Sequence, residues 1–280
     1  MSSEKPGQLS LRNNVRFLYL GDIMGEAGLS LVEKELPKLR NEKKIDIIIA
    51  QAENVTDGRG TSPEDFSRLR KSGVDFCSGG NWTLWRKTII PMLSDPNQPI
   101  IRPANYPAGT PGLGWKYFST GFGKVLVVSL LGKTVGRDSK LQLDNPLQTI
   151  DRILETEAAT EKVATIINFH GDFSSEKVVI GHYLNGRVTA AIGDHWHVPT
   201  ADGRVLSSGT AHITDVGMVG ILEASLGVKT EVIIDRWRND MIRPNELETT
   251  GTLQLNGFIF DVDPASGKSV SAESIRQIYK

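Results

Sequence analysis

Residues 15–54 read "VRFLYLGDIMGEAGLSLVEKELPKLRNEKKIDIIIAQAEN", and the pattern of their apolar residues changes twice. "VRFLYLGD" is a short apolar run closed by a polar turn, which predicts a buried strand ending near Asp22. "SLVEKELPKLRNE" mixes apolar and charged residues as an amphipathic helix does, and "DIIIAQAEN" is a second buried strand ending in Glu53 and Asn54. Strand, helix and strand in that order imply a right-handed crossover joining parallel strands.

The same alternation runs on through the chain. "SPEDFSRLRKSG" opens with Ser-Pro, carries acids in its first turn and bases in its last, and closes on Gly, as a helix does. "VDFCSGGN", "KVLVVSLLG" and "VATIINFHG" read as strands, and "NPLQTIDRILETEAATEK" as a helix between the last two. "SSEKVVIGHYLNG" reads as a helix leading into "RVTAAIGDHWH" and "TAHITDVG". "GTLQLNGFIFDVDPASGKSVSAESIRQIY" near the end reads as an antiparallel hairpin turning at Pro-Ala-Ser-Gly. The architecture expected is α/β, one domain over residues 15–280, with two packed sheets and helices outside. Residues 1–14 are expected to form a loose polar tail.

Composition narrows the function classes. The 280 residues carry 32 basic and 33 acidic side chains, so no overall field draws the chain to nucleic acid or anionic membrane. The N-terminus lacks the apolar core of a signal peptide, and no apolar run approaches the roughly 18 residues of a membrane span. A single cysteine, Cys77, excludes an intramolecular disulfide and fits a reducing, cytoplasmic setting. It reads as a small core residue, and His182 and His212 read as structural.

Five strand ends finish in groups that can hold a divalent ion: Asp22, Glu53-Asn54, Asn81, His170, and His195 with His197. In an open α/β sheet, sites form beyond the carboxyl ends of the strands. In extended backbone, side chains at i and i+2 share a face, which would aim His195 and His197 together with Trp196 turned away as their support. Carboxylate, amide oxygen and imidazole without thiolate suit iron, manganese, zinc or cobalt. The Glu53 carboxylate is the candidate bridge of two ions, and a pair roughly 3.5–4 Å apart is the usual device for activating water against phosphate esters.

The motifs "GDIMGEAG", "AENVTDGRG", "GGNWT", "RPANYPAGTPG", "NFHGDFSSEK" and "GDHWHVPTADGRVLSSGTAHITDVGM" resemble, in order and spacing, the YmdB-like family of calcineurin-type metallophosphoesterases. The resemblance runs from about Val15 to the C-terminus. It implies a four-layer α/β/β/α sandwich, a binuclear site commonly of iron, activity on phosphodiesters such as 2′,3′-cyclic nucleotides, a cytoplasmic setting and a homo-oligomer. It places one ion on Asp22, Glu53, Asn54 and His197, and the other on Glu53, Asn81, His170 and His195. The family's third motif, however, runs Gly-Asn-His-Thr-Trp-Asp, its His donating a proton to the leaving group. Here the stretch is Gly80-Asn81-Trp82-Thr83-Leu84-Trp85, and an indole N–H does not titrate near neutral pH. Asp57 also stands where the family has His, and Asp194 where it has Thr.

Two functions follow. One is a metal-dependent phosphodiesterase with reduced or altered activity, in which Asp57, Asp172 or Asp194 substitutes as acid and Trp82, Trp85 and Trp196 flank the substrate mouth. The other is a catalytically weak metal-binding regulator of a phosphate ligand or partner protein.

Overall fold

The computed structural model describes residues 14–135 and 142–280. The first half contains β1 (Val15–Leu20), β2 (Asp22–Ile23), α1 (Gly25–Lys43), β3 (Ile47–Gln51), α2 (Pro63–Lys71), β4 (Phe76–Ser78), α3 (Ile90–Ser94), β5 (Trp115–Thr120) and β6 (Gly123–Leu131). There follow α4 (Pro146–Thr156), β7 (Ala164–His170), α5 (Ser174–Leu184), β8 (Ala190–Asp194), β9 (Arg204–Val205) and β10 (Ala211–Ile213). The chain closes with β11 (Met218–Ile221), α6 (Thr230–Asn239), β12 (Leu253–Asp263) and β13 (Lys268–Tyr279). Of the tail expected at residues 1–14, all but Asn14 lies outside the described residues.

Two sheets form. In the first, β1, β3 and β4 are parallel neighbours, while the long strand β12 runs antiparallel to β1 and to β11 along one edge and to β13 along the other. The second is ordered β5-β6-β7-β8-β10-β9, with β6, β7, β8 and β10 parallel. Residue alternation sorts the core into layers. Phe17, Tyr19, Ile47 and Ile49 face Val125, Val127, Ile166 and Ile192 between the sheets. Leu18, Leu20, Ile48 and Ala50 instead meet Leu29, Val32 and Leu36 of α1. On the far side, Leu126, Val128 and Ile167 pack on Ile150 and Ile153 of α4 and Ile180 of α5. The result is the α/β/β/α sandwich expected from the sequence.

Differences lie at element ends and in one helix. Helix α1 begins at Gly25, five residues before the amphipathic pattern does. Its early turn is glycine-rich because it lies against β11: a Cβ on Gly28 would sit 2.3 Å from the Val219 carbonyl oxygen. Helix α4 stops at Thr156, short of the run read as helical. Helix α6 has no counterpart in the sequence reading, although "TEVIIDRWRN" has an acid in its first turn and arginines in its last.

Close backbone packing also sets the level of β8. A Cβ on Gly193 would lie 1.8 Å from the Thr214 carbonyl oxygen, which cannot retreat as a flexible side chain could. Gly193→Ala should therefore destabilise the fold by about 3 kcal/mol, at the upper end of ordinary overpacking. A lowered urea midpoint with unchanged slope is the expected reading; a midpoint equal to wild type would show that β8 has room to shift.

Candidate metal centre

The parallel strands of both sheets direct their carboxyl ends to the same side of the sandwich. Asp22 follows β1, Glu53 and Asn54 follow β3, and Asn81 follows β4. His170 is the last residue of β7, and His195 and His197 follow β8. Single atoms of Glu53, His170 and His195 lie within 4.8 Å of one another, so this group can hold a metal ion. Asn81 joins it, its Oδ1 lying 3.0 Å from His170 Nε2, while Glu53 Oε1 lies 2.8 Å from the same nitrogen. Gly80 permits this approach: a Cβ there would fall 2.5 Å from Glu53 Oε2 and from the His170 ring. The Trp82 backbone N–H then donates to Glu53 Oε2 at 2.8 Å.

A second cluster adjoins the first. His197 Nε2 lies 3.7 Å from Asp22 Oδ1. Asp22 Oδ1 and Asn54 Oδ1 are both buried without a hydrogen-bond partner. An orphaned buried carboxylate oxygen costs free energy, and a cation is the partner that would remove the cost. Asn54 is already held in place, since its amide donates to the Gly58 carbonyl at 3.0 Å.

The histidines are oriented from behind. His170 Nδ1 lies 2.7 Å from Asp194 Oδ1, His195 Nε2 lies 2.8 Å from Asp172 Oδ1, and His197 Nδ1 lies 3.1 Å from the Leu226 carbonyl oxygen. Each acceptor holds a proton on the nitrogen that faces it and turns the opposite nitrogen toward the site, as in metal-ligating histidines generally; on His170 that nitrogen meets Glu53 and Asn81. Burial, reinforced by neighbouring His195, pushes His197 down to about 4, so its ring is neutral near pH 7. Burial also disfavours charge on His170, but Glu53 and Asp194 overcome that and raise it well above the ordinary imidazole value. An ion bound at its Nε2 would displace that proton. Burial and the charge of Asp194 push Asp22 the same way, which a nearby cation would reverse.

The backbone of the "GDHWH" segment differs from the extended reading. Strand β8 ends at Asp194, and His195 and His197 take positive φ values of 101° and 60°. Both rings reach the site because of this unusual backbone, not because of strand alternation. Trp196 does turn away: its indole N–H donates to the Asp172 carbonyl at 2.9 Å, and the Lys177 ammonium lies 4.2 Å from its ring centroid. It supports the loop and does not line the mouth. Lys177, wholly buried, also donates to the Asp194 carbonyl and to Asp215, whose carboxylate accepts the Trp196 backbone N–H at 2.9 Å. Sequence reasoning misses Lys177 and Asp215. The one sign of them is a lysine among apolar residues in "SSEKVVIGH".

The aspartates expected as substitute acids each have partners in the structure. Asp194 is fully buried and accepts from Tyr19, Gln51 and Asn168 besides facing His170. Burial would raise its pKa, but His170 and Lys177 hold it below the usual carboxylate value, so it carries no proton to give. Asp57 is exposed and paired with Arg86 at 2.8 Å. Asp172 is engaged by His195. Cys77 and His212 are buried core residues, and His182 is exposed.

A cavity of about 650 Å³ opens over the cluster, with Glu53, Asn54, His195 and His197 on its floor. Arg59 and Trp82 form one wall, and Ile233, Ile234 and Trp237 of α6 form another. Trp85, 57% exposed, stands edge-on to Trp82 with ring centroids 5.3 Å apart.

Comparison with known proteins finds relatives over nearly the whole chain. The chain is 37% identical over 263 residues to the 2′,3′-cyclic-nucleotide 2′-phosphodiesterase of Bacillus subtilis (strain 168), covering 93% of this chain and 96% of that one. A crystal structure of a novel phosphatase from Mycoplasma pneumoniae matches with a TM-score of 0.88 and 29% identity, over 95% of this chain and 94% of that one. The crystal structure of a hypothetical protein from Thermus thermophilus matches with a TM-score of 0.85 and 32% identity, over 95% of this chain and 100% of that one. The family model described as YmdB-like protein matches residues 18–275, and the chain belongs to that family.

Proposed function

We propose that this chain is a metal-dependent phosphodiesterase that cleaves diesters with good leaving groups more readily than sugar-alkoxide ones. The observation that carries the reading is the pairing of two partnerless buried oxygens, on Asp22 and Asn54, with three histidines whose remaining nitrogens are each fixed by an acceptor. We assign one ion to Asp22, Glu53, Asn54 and His197, and a second to Glu53, Asn81, His170 and His195. Iron fits this nitrogen and oxygen set, as do manganese and zinc. Ions bound there would polarise phosphoryl oxygens and make water a nucleophile at neutral pH. The name of the Bacillus subtilis relative supports a nucleotide-type phosphodiester as substrate. A cavity of about 650 Å³ with one polar floor and one apolar wall suits a ligand of that size.

The chain's own part is to orient and to exclude. Trp82 N–H holds Glu53 and Gly80 leaves room for it, while Asp194, Asp172 and the Leu226 carbonyl fix the three rings. Asp194 carries no proton to give, Asp57 is paired with Arg86 and Asp172 with His195, and Trp82 has no proton that titrates. The leaving oxygen must therefore depart largely unprotonated.

Elemental analysis of protein purified without chelators should find about two equivalents of transition metal per chain, and Glu53→Ala should lower this more than any other single change. Absence of bound metal after reconstitution with iron, manganese or zinc would refute the assignment.

Rates should depend steeply on leaving-group pKa, with aryl diesters cleaved roughly 10²–10⁴-fold better than 2′,3′-cyclic nucleotides, the range that general acid catalysis is worth. Equal rates would mean that another group supplies the proton.

Trp82→His should raise the ratio of cyclic-nucleotide to aryl turnover, because imidazole titrates near neutrality and can protonate the leaving alkoxide. Trp82→Ala controls for space. Equal gains from both substitutions on both substrates would make Trp82 a steric plug, and no gain from either with metal still bound would favour the regulator.

A further inference from the structure

The cavity wall holds a cation that the metal centre does not use. Arg59 lies in a short loop with Gly58 and Gly60 on either side, both at positive φ. The loop is pinned from below: Arg86 donates to the Arg59 carbonyl at 3.0 Å, to the Thr56 carbonyl at 3.1 Å and to Asp57 at 2.8 Å. A Cβ on Gly58 would meet Leu247 at 2.9 Å, so the loop is closely packed there too. Trp82 and Trp85 stand at 88° to each other, and the Arg59 guanidinium lies in the corner between them, 4.7 Å and 5.4 Å from their ring centroids. Cation–π attraction to the two indoles holds the guanidinium in place and uses none of its N–H donors.

Among the described residues, no carboxylate or carbonyl pairs with the Arg59 side chain. The other two arginines nearby are committed, Arg86 to its loop and Arg236 to the Arg243 carbonyl. Arg59 thus presents a fixed, partnerless cation to the cavity whose floor holds Glu53, His195 and His197.

The geometry points to Arg59 as the anion clamp of this site, donating paired N–H groups to the phosphoryl oxygens of the substrate opposite the metal ligands. Trp82 and Trp85 are its positioning residues. This rests on the phosphodiesterase reading for the identity of the anion, but not for the existence of the clamp. Arginine stays protonated, so Arg59 does not replace a general acid. It lowers the barrier by matching charge that the phosphoryl group carries through the reaction. Trp82 therefore has a use where a proton donor is missing: it seats the guanidinium.

The test is calorimetric titration of inorganic phosphate into manganese-loaded wild type, Arg59→Gln and Arg59→Lys, with metal content measured on each. A charge-assisted hydrogen bond is worth enough to predict a roughly ten- to hundredfold weaker phosphate affinity for Arg59→Gln at unchanged metal content. Arg59→Lys should fall between, since it keeps the charge and loses the planar fork. On any diester that wild type cleaves, Arg59→Gln should lower kcat/KM by a similar factor for aryl and cyclic substrates alike, leaving their ratio unmoved. Equal phosphate affinity in Arg59→Gln and wild type would overturn the clamp, even if wild type hydrolyses diesters. Weakened phosphate binding in a protein that cleaves no diester would uphold the clamp and remove the hydrolase reading instead.

Discussion

Asp194 is wholly buried, and its two oxygens collect donors from both sheets. Tyr19 of β1 and Gln51 of β3 reach it from the first sheet at 2.9 and 3.0 Å, and Asn168 and His170 of β7 from the second. A lone buried carboxylate would cost several kcal/mol, so its partners must hold their geometry for the fold to tolerate it. Those same partners fix the level at which the two sheets meet and the direction in which His170 points. The floor of the site is thus an outcome of how one charge is satisfied in the core.

The loop beyond Asp194 depends on a second buried charge pair. Lys177 reaches from α5 to Asp215 and to the Asp194 carbonyl, and Asp215 in turn binds the Trp196 and Gly217 backbone N–H groups. This fastens a segment in which two histidines hold positive φ, a conformation that costs on the order of 1–3 kcal/mol for each such residue. Strain of this kind persists where surroundings over-determine it, and here it turns both imidazoles toward one cavity.

The sequence discloses the strands and their polar ends because buried parallel strands are continuous apolar runs, and the chain must become polar where each one leaves the core. That is how Asp22, Glu53, Asn54, Asn81, His170, His195 and His197 can be picked out together. Register is not written there. His170 and Asp194 are paired across β7 and β8, which makes Asp194 a hydrogen-bond partner of His170, a place that its position in the motif does not disclose. Long-range pairs such as Lys177–Asp215 leave no local periodicity, and Arg59 becomes notable only when "DGRG" folds beside "NWTLW". The i, i+2 rule aims the paired histidines together for the wrong reason, since the strand ends before them.

The central claim is that the partnerless oxygens of Asp22 and Asn54 and the Glu53–His170–His195 group are two halves of one metal centre. Anomalous difference maps, collected across the iron, manganese and zinc edges from crystals of chelator-free protein, test it by position. Two peaks are predicted, one touching Asp22, Asn54 and His197, the other touching Asn81, His170 and His195, with Glu53 between them. A map without a peak at either place, or with metal bound only elsewhere on the chain, would contradict the account.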